Sequence, residues 1–211
     1  MTHTPLSDER AAVEVTRTET VFTGRVWNIR RDEFAYGDGS ITREYVDHSG
    51  AVAVLALDED GRVLLIRQYR HPVGFREWEI PAGLLDVPGE DPLEAAKREL
   101  AEEADLTAER WDVLSDFFTS PGGSDEAIRI YLARDLTATT EAFARTEEEA
   151  DIEVSWVALD EVVDGVVARR LQNPSLAIAA LAAHVGRERD WSTLGPADAE
   201  WPGRSRPVGS K

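Results

Sequence analysis

Cysteine is absent from the 211 residues, and lysine nearly so, at Lys97 and Lys211 alone. Without thiols there is no disulfide framework, no thiolate zinc site and no cysteine nucleophile. No stretch approaches the roughly 18 apolar residues of a membrane span. The first twenty residues also lack the apolar segment of a signal peptide. Positive charge is scarce overall: 23 Lys+Arg stand against 41 Asp+Glu, a formal net charge of −18. That surplus repels nucleic acid and anionic membranes, so neither is expected as a partner. The composition is that of a soluble protein, with the cytoplasm as its expected compartment.

Apolar residues make up 42% of the chain, enough for one sizeable core. Residues 1–15 are polar and expected to be disordered. Residues 16–48 hold strand-like runs around the turn Gly37-Asp38-Gly39-Ser40 and read as a β-rich segment. Residues 49–190 form the main domain. Ala51 to Asp58 and Arg62 to Tyr69 flank an acidic turn ending in Gly61 and read as a second hairpin. Strands are expected near 113–118, 127–133 and 152–157, and helices near 91–104, 159–170 and 175–189. Asn173 and Pro174 supply cap residues for the last helix. From Trp191 the chain is rich in Gly, Pro and Ser and reads as a flexible tail, 191–211. Strands before, between and after helices define an α/β domain with a β-rich N-terminal part.

The central helix carries the most information. Asp91 is a fitting N-cap, Pro92 suits the first helical position, and Glu94 can complete a capping box. At about 100° per residue, Leu93, Ala96, Leu100 and Ala104 share the inward arc. Glu99, Glu102 and Glu103 share another, with Glu99 three and four positions before the other two. Such like-charge neighbours cost about 0.2–0.5 kcal/mol per pair on a solvated helix. Two readings fit: a solvated face eased by Glu94, Arg98 and Glu102 at four-residue spacing, or a hard divalent cation that offsets the repulsion.

The run PAGLLDVPGEDPLEAAKRELAEEADL, Pro81 to Leu106, resembles the Nudix box: a glycine, a glutamate, seven residues, then Arg-Glu-apolar-x-Glu-Glu-x-Gly-apolar. The matching residues are Gly83, Glu90, Arg98, Glu99, Leu100, Glu102, Glu103 and Leu106. The loop between Gly83 and Glu90 is one residue longer than the usual pattern. Asp105 stands where the family has glycine, and Asp tolerates a left-handed helix end better than most residues. Pro121, fifteen positions after Leu106, lies in SPGGSDE, which resembles the marker of the ADP-ribose pyrophosphatase subfamily. ITREYVDH, RQYRH and EEEADIEVSW also resemble that subfamily, its actinobacterial members above all.

The resemblance implies a Nudix-type α/β/α sandwich with a mixed sheet, preceded by an N-terminal β-rich segment used in dimerisation. It implies Mg2+-dependent hydrolysis of ADP-ribose to AMP and ribose 5-phosphate, with two or three cations per site and Mn2+ as a substitute. Glu99, Glu103 and the Ala82 carbonyl are then metal ligands, and Glu102 a further direct or water-mediated one. Arg98 orients these carboxylates, and Glu90 belongs to the same ion-pair set. Glu148 is the matching general base with Glu149 as competitor. Ala150 occupies a position that is an acidic ligand in some members. Arg43 and Arg70 match arginines that contact phosphate and ribose, and Glu44 is the neighbouring binding position. Ser120, Pro121, Gly122 and Glu126 match the ribose-side loop, and Leu84 lines the pocket. Arg25 and Val26 would act across a homodimer with exchanged N-terminal strands. Trp27 or Phe22 could stack on adenine, but core or dimer packing suits either better, and His48 is a weaker binding match. Rival readings are hydrolysis of another NDP-sugar, dinucleotide or NADH, and a non-catalytic ligand sensor. A third, isopentenyl diphosphate isomerase, is disfavoured because that chemistry uses a cysteine.

Overall fold

The computed structural model describes residues 6–140 and 152–204. Its organising element is the strand Ala51–Ala56 (β4), six consecutive apolar residues buried on both faces. A strand of this kind needs a neighbour along each edge and a covering layer on each face. The neighbours are Ala127–Ala138 (β9), parallel to it, and Ala82–Leu84 (β7), antiparallel. β9 pairs in turn with Leu106–Phe118 (β8), and β8 with the short Gly195–Pro196 (β11). A second sheet places Arg62–Arg70 (β5) between Phe75–Glu79 (β6) and Glu153–Ala158 (β10).

The period-2 alternation of β4 divides the interior in two. Ala51, Ala53 and Leu55 face Leu176, Ala179, Ala180 and Ala183 of the helix Pro174–Arg187 (α3), joined there by Leu159 and Val162 of Leu159–Val167 (α2). Val52, Val54 and Ala56 face Ala95, Ala96 and Leu100 of Pro92–Ala104 (α1). Helices on both faces of a mixed sheet give the expected α/β/α sandwich. Asn173 caps α3 by accepting from the Leu176 N–H at 3.0 Å, as its sequence position implies.

Two expectations are corrected. The acidic turn does form: the Asp58 N–H donates to the Arg62 carbonyl, and Gly61 takes φ 75°. Beyond the single bridge Leu57–Val63, however, β4 and β5 part and join different sheets. Turn chemistry closes the corner, while strands buried on both faces choose partners by distant packing. The second correction is the C-terminal extension, whose residues 191–204 pack against the sandwich. β11 pairs with Val113 and Asp112, Trp191 lies beneath the Arg134 guanidinium at 5.1 Å, and Trp201 beneath Arg129 at 5.0 Å. Arg129 is itself buried, bonded to Asp116 at 2.8 Å and to the Ala199 carbonyl at 2.6 Å. A guanidinium fixed by a carboxylate offers its flat face to an indole, which holds a Gly- and Pro-rich segment in place.

The N-terminal segment is a separate antiparallel sheet of Val15–Thr23 (β1), Asn28–Tyr36 (β2) and Gly39–Asp47 (β3). Gly37, at φ 58°, makes the tight β2–β3 turn. The sheet meets the sandwich at its end, where the Val46 N–H donates to the Gly123 carbonyl at 2.9 Å. None of the described helices is long and apolar enough to cross a membrane.

Candidate active site

Helix α1 begins as its sequence requires: the Asp91 side chain accepts from the Leu93 N–H at 2.8 Å, with Pro92 in the first turn. The capping box is not completed, because Glu94 accepts from Lys97 Nζ at 2.7 Å instead. At the other end Asp105 adopts the left-handed conformation, φ 53° and ψ 38°, and its N–H donates to the Ala101 carbonyl at 3.0 Å. A non-glycine residue there keeps the helix end the glycine would make. The extra residue before Glu90 is absorbed in a turn, with Gly89 at φ 81° and the Glu90 N–H donating to the Val87 carbonyl.

Between these ends the acidic arc of α1 lies against the backbone of β7. Glu103 is buried, 6% exposed, and its Oε2 accepts from the Ala82 N–H at 2.9 Å. Glu99 sits over Gly83 so closely that a Cβ there would fall 2.0 Å from its carboxylate. Gly83 is therefore glycine for lack of space. Arg98 joins the set: Nε and Nη2 donate to the two Glu90 oxygens at 3.0 and 3.1 Å, and Nη1 to Glu99 at 2.6 Å and Glu102 at 3.1 Å. These contacts raise the Arg98 pKa further, the Glu90 bond first, and the same bond holds the Glu90 carboxyl below its ordinary value. The four glutamates and one arginine sum to −4 + 1 = −3, a surplus suited to a cation.

As placed, no three acidic or imidazole groups among the described residues converge on one point to cage a metal ion. A full protein cage is not what Mg2+ demands; it keeps waters and takes one or two carboxylates plus substrate phosphates. The donors at hand are hard oxygens only, two of them held on the Ala82–Gly83 backbone, and this chemistry fits Mg2+ or Mn2+.

The remaining candidates fall into three groups. Arg70, at the end of β5, donates from Nε and Nη2 to both oxygens of Glu79, at 2.8 and 2.7 Å. Leu84 is half-buried on β7, opposite Ala51. The loop 119–126 is self-braced: Gly123 and Ser124 N–H groups donate to the Ser120 carbonyl at 2.9 Å, while Pro121 and Gly122 are exposed at its tip. Glu126 accepts from Thr119 at 2.6 Å and meets His48 Nε2 at 3.1 Å. His48 also accepts from the Gly50 N–H and stacks on Trp27 with ring centroids 4.1 Å apart. Burial lowers the His48 pKa, against the opposing pull of Glu126 and Asp125. Beside this loop lies a cavity of about 640 Å³, lined by His48, Gly50, Phe118, Pro121, Asp125 and Arg204 among others.

The third group stays apart within one chain. Arg25 and Val26 are exposed in the β1–β2 turn, Arg43 donates to the Thr42 carbonyl, and Glu44 pairs with Arg31 at 2.8 Å. Among the described residues, no hydrogen bond or ion pair joins these four to α1, β7 or the loop 119–126. Phe22 is 61% exposed. Glu148 and Glu149 lie outside the described residues. Sequence reasoning missed Glu79, a carboxylate in a strand that only the β5–β6 register shows to be buried.

Comparison with known proteins agrees with this geometry. The model of the NUDIX domain matches residues 47–177. An ADP-ribose pyrophosphatase of Mycobacterium tuberculosis is 43% identical over 189 residues, covering 89% of this chain and 90% of that protein. A methanol dehydrogenase activator of Bacillus methanolicus is 37% identical over 164 residues, covering 77% and 88%. The crystal structure of an ADP compounds hydrolase superposes with a TM-score of 0.71 at 21% identity, over 88% of this chain and all of that one, a likeness of fold. With its box folded on the β7 backbone and the domain model spanning most of the chain, the protein belongs to the Nudix family.

Proposed function

We propose that the protein hydrolyses the diphosphate bond of ADP-ribose, giving AMP and ribose 5-phosphate, with divalent cations at the acidic face of α1. The observation that carries this is the closeness of Glu99 and Glu103 to the Ala82–Gly83 backbone, which leaves no room for a Cβ at position 83. The 43% identity to an ADP-ribose pyrophosphatase supports the substrate. Nudix hydrolases generally use divalent metal ions. Glu99, Glu103 and the Ala82 carbonyl would hold two or three Mg2+, with Glu102 direct or through water and Mn2+ able to substitute. A cation bound there screens the doubly anionic diphosphate and makes a nearby water more acidic.

The chain's own groups do the rest. Arg98 holds Glu99 and Glu102 in place. Glu148, or Glu149 beside it, accepts the proton of the attacking water. Arg70 grips substrate phosphate with a guanidinium already aligned. Ser120, Pro121, Gly122 and Glu126 form the ribose side, and Leu84 lines the pocket. Arg25, Val26, Arg43 and Glu44 serve a neighbouring subunit: among the described residues no helix or second sheet is layered on the β1–β3 sheet, so a homodimer that covers it also brings these residues to a site. A second chain on this sheet gives a mass twice that of the monomer by light scattering.

The activity is tested by incubation with ADP-ribose in water labelled with heavy oxygen, with Mg2+ and with a chelator. The expected result is label in one monophosphate product and no cleavage under chelation. Cleavage that ignores the chelator would overturn the cation's role. Faster turnover of another NDP-sugar, a dinucleotide or NADH would replace the substrate.

A further inference from the structure

Glu79 stands out in the interior as a carboxylate 3% exposed, three residues before Ala82 and outside the box. Strand alternation puts Ile66, Gln68 and Arg70 of β5 on one face with Phe75, Glu77 and Glu79 of β6. Ile66 belongs to the core under α1, so this face is the one turned toward the acidic helix. In register Arg70 lies opposite Phe75, yet its side chain runs back along β6 to Glu79 and bonds both carboxylate oxygens, at 2.8 and 2.7 Å. Gln68 Nε2 approaches the same carboxylate at 3.4 Å. Burial raises the Glu77 pKa, with the Glu79 charge adding to the shift and Arg70 opposing it, so one more acid shares this face.

A buried carboxylate is costly, and one that engages only the Nε–Nη2 edge of a guanidinium fixes its plane and direction. Arg70 remains 42% exposed, and its Nη1 takes no part in the Glu79 bridge. We infer that Glu79 is a positioning residue: it locks Arg70 so that the other edge of the guanidinium is presented to a substrate phosphate in one orientation. The inference rests on the reading of Arg70 as a substrate-gripping residue. It adds a group that does not touch substrate but sets how tightly substrate is held. A lysine at position 70 would not serve in this way, since an ammonium has no second edge to be aimed.

The test is a kinetic double-mutant cycle on the full chain with ADP-ribose and Mg2+, using Glu79→Gln, Arg70→Ala, the pair together, and Arg70→Lys. Glu79→Gln is expected to raise KM about tenfold while kcat stays within about twofold, the pattern of lost binding without lost chemistry. The pair should show the KM of Arg70→Ala within about twofold, because Glu79 then has nothing left to aim. Arg70→Lys, which keeps the charge and loses the fork, should resemble Glu79→Gln. Melting curves accompany each variant, and Arg70→Ala should melt below the pair, since it strands the buried carboxylate. An unchanged KM in Glu79→Gln with a raised KM in Arg70→Ala would overturn the positioning role. Strictly multiplicative effects would do the same, pointing to a merely structural carboxylate. An unchanged KM in Arg70→Ala would instead overturn the role given to Arg70. Should Glu79→Gln not fold, Arg70→Lys decides: wild-type KM there overturns the inference.

Discussion

The sandwich and the N-terminal sheet solve the same problem in opposite ways. In the sandwich, β4 is covered on both faces and its residues pack in two cores, so the strand is defined by what surrounds it. In the β1–β3 sheet Phe22, Tyr36 and, in the β1–β2 turn, Val26 are each more than 60% exposed, and Phe34 and Tyr45 are only half-buried. Cohesion there comes from strand pairing and from polar ladders such as Glu19–Arg31–Glu44, bonded at 3.0 and 2.8 Å. Exposed ladders of this kind contribute little, because water and salt screen them. One region therefore carries its own stability and the carboxylate face of the site. The other holds substrate candidates on a sheet that the proposed homodimer would complete.

Four substitutions test that contrast. Glu103→Gln, in the sandwich, should reduce kcat about a hundredfold or more in steady-state assays, since cation assistance is worth several kcal/mol. Its stability without metal should hold or rise, because a repelling charge is gone and the amide oxygen still accepts from Ala82. Leu132→Ala, at a fully buried position of β9, should cost about 2–5 kcal/mol in denaturant unfolding. Phe22→Ala, in the N-terminal sheet, should cost under about 0.5 kcal/mol at high dilution, as an exposed substitution does. It should nonetheless raise the dissociation constant of the proposed homodimer, measured by sedimentation. A large loss of stability at high dilution would mean that the sheet folds on its own terms.

The smallest effect is expected at the junction of the two regions. His48 is held below its ordinary value, near 6.5, by burial. Between that depressed value and 6.5 the unfolded chain takes up a proton that the fold resists, so stability falls as the pH drops through this window. His48→Asn should flatten that part of the melting-temperature profile between pH 7.5 and 5 and leave the neutral end within a few degrees. An unchanged slope would assign the acid sensitivity elsewhere.

How legible each part was follows from how local its causes are. Helix α1 could be read from Asp91, Pro92 and the spacing of its acids, because capping and periodicity act within a few residues. Asp105 and Gly83 were equally readable, one as a left-handed helix end and the other as the glycine of the box. Its reason, the carboxylate of Glu99, needed the fold. The misplaced hairpin shows the limit: Asp58 to Gly61 encode a corner, and nothing within β4 or β5 says which sheet each joins. The C-terminal segment misled for a related cause. Its glycines and prolines signal a lack of regular structure, while its placement depends on Trp191 and Trp201 meeting Arg134 and Arg129 from distant strands. Glu79 was invisible because a charged residue in a strand normally faces solvent, and only pairing with Arg70 buries it.

A divalent cation among the acids of α1 is the centre of the proposed chemistry. Titration of the protein with Mn2+, followed by the loss of free-ion paramagnetic resonance signal and repeated with Glu99→Gln and Glu103→Gln, tests it directly. Saturable binding by the wild type that weakens at least about tenfold in each variant is the predicted result, each losing a charged ligand. Binding of equal strength in all three proteins, or none in the wild type even with ADP-ribose present, would contradict it.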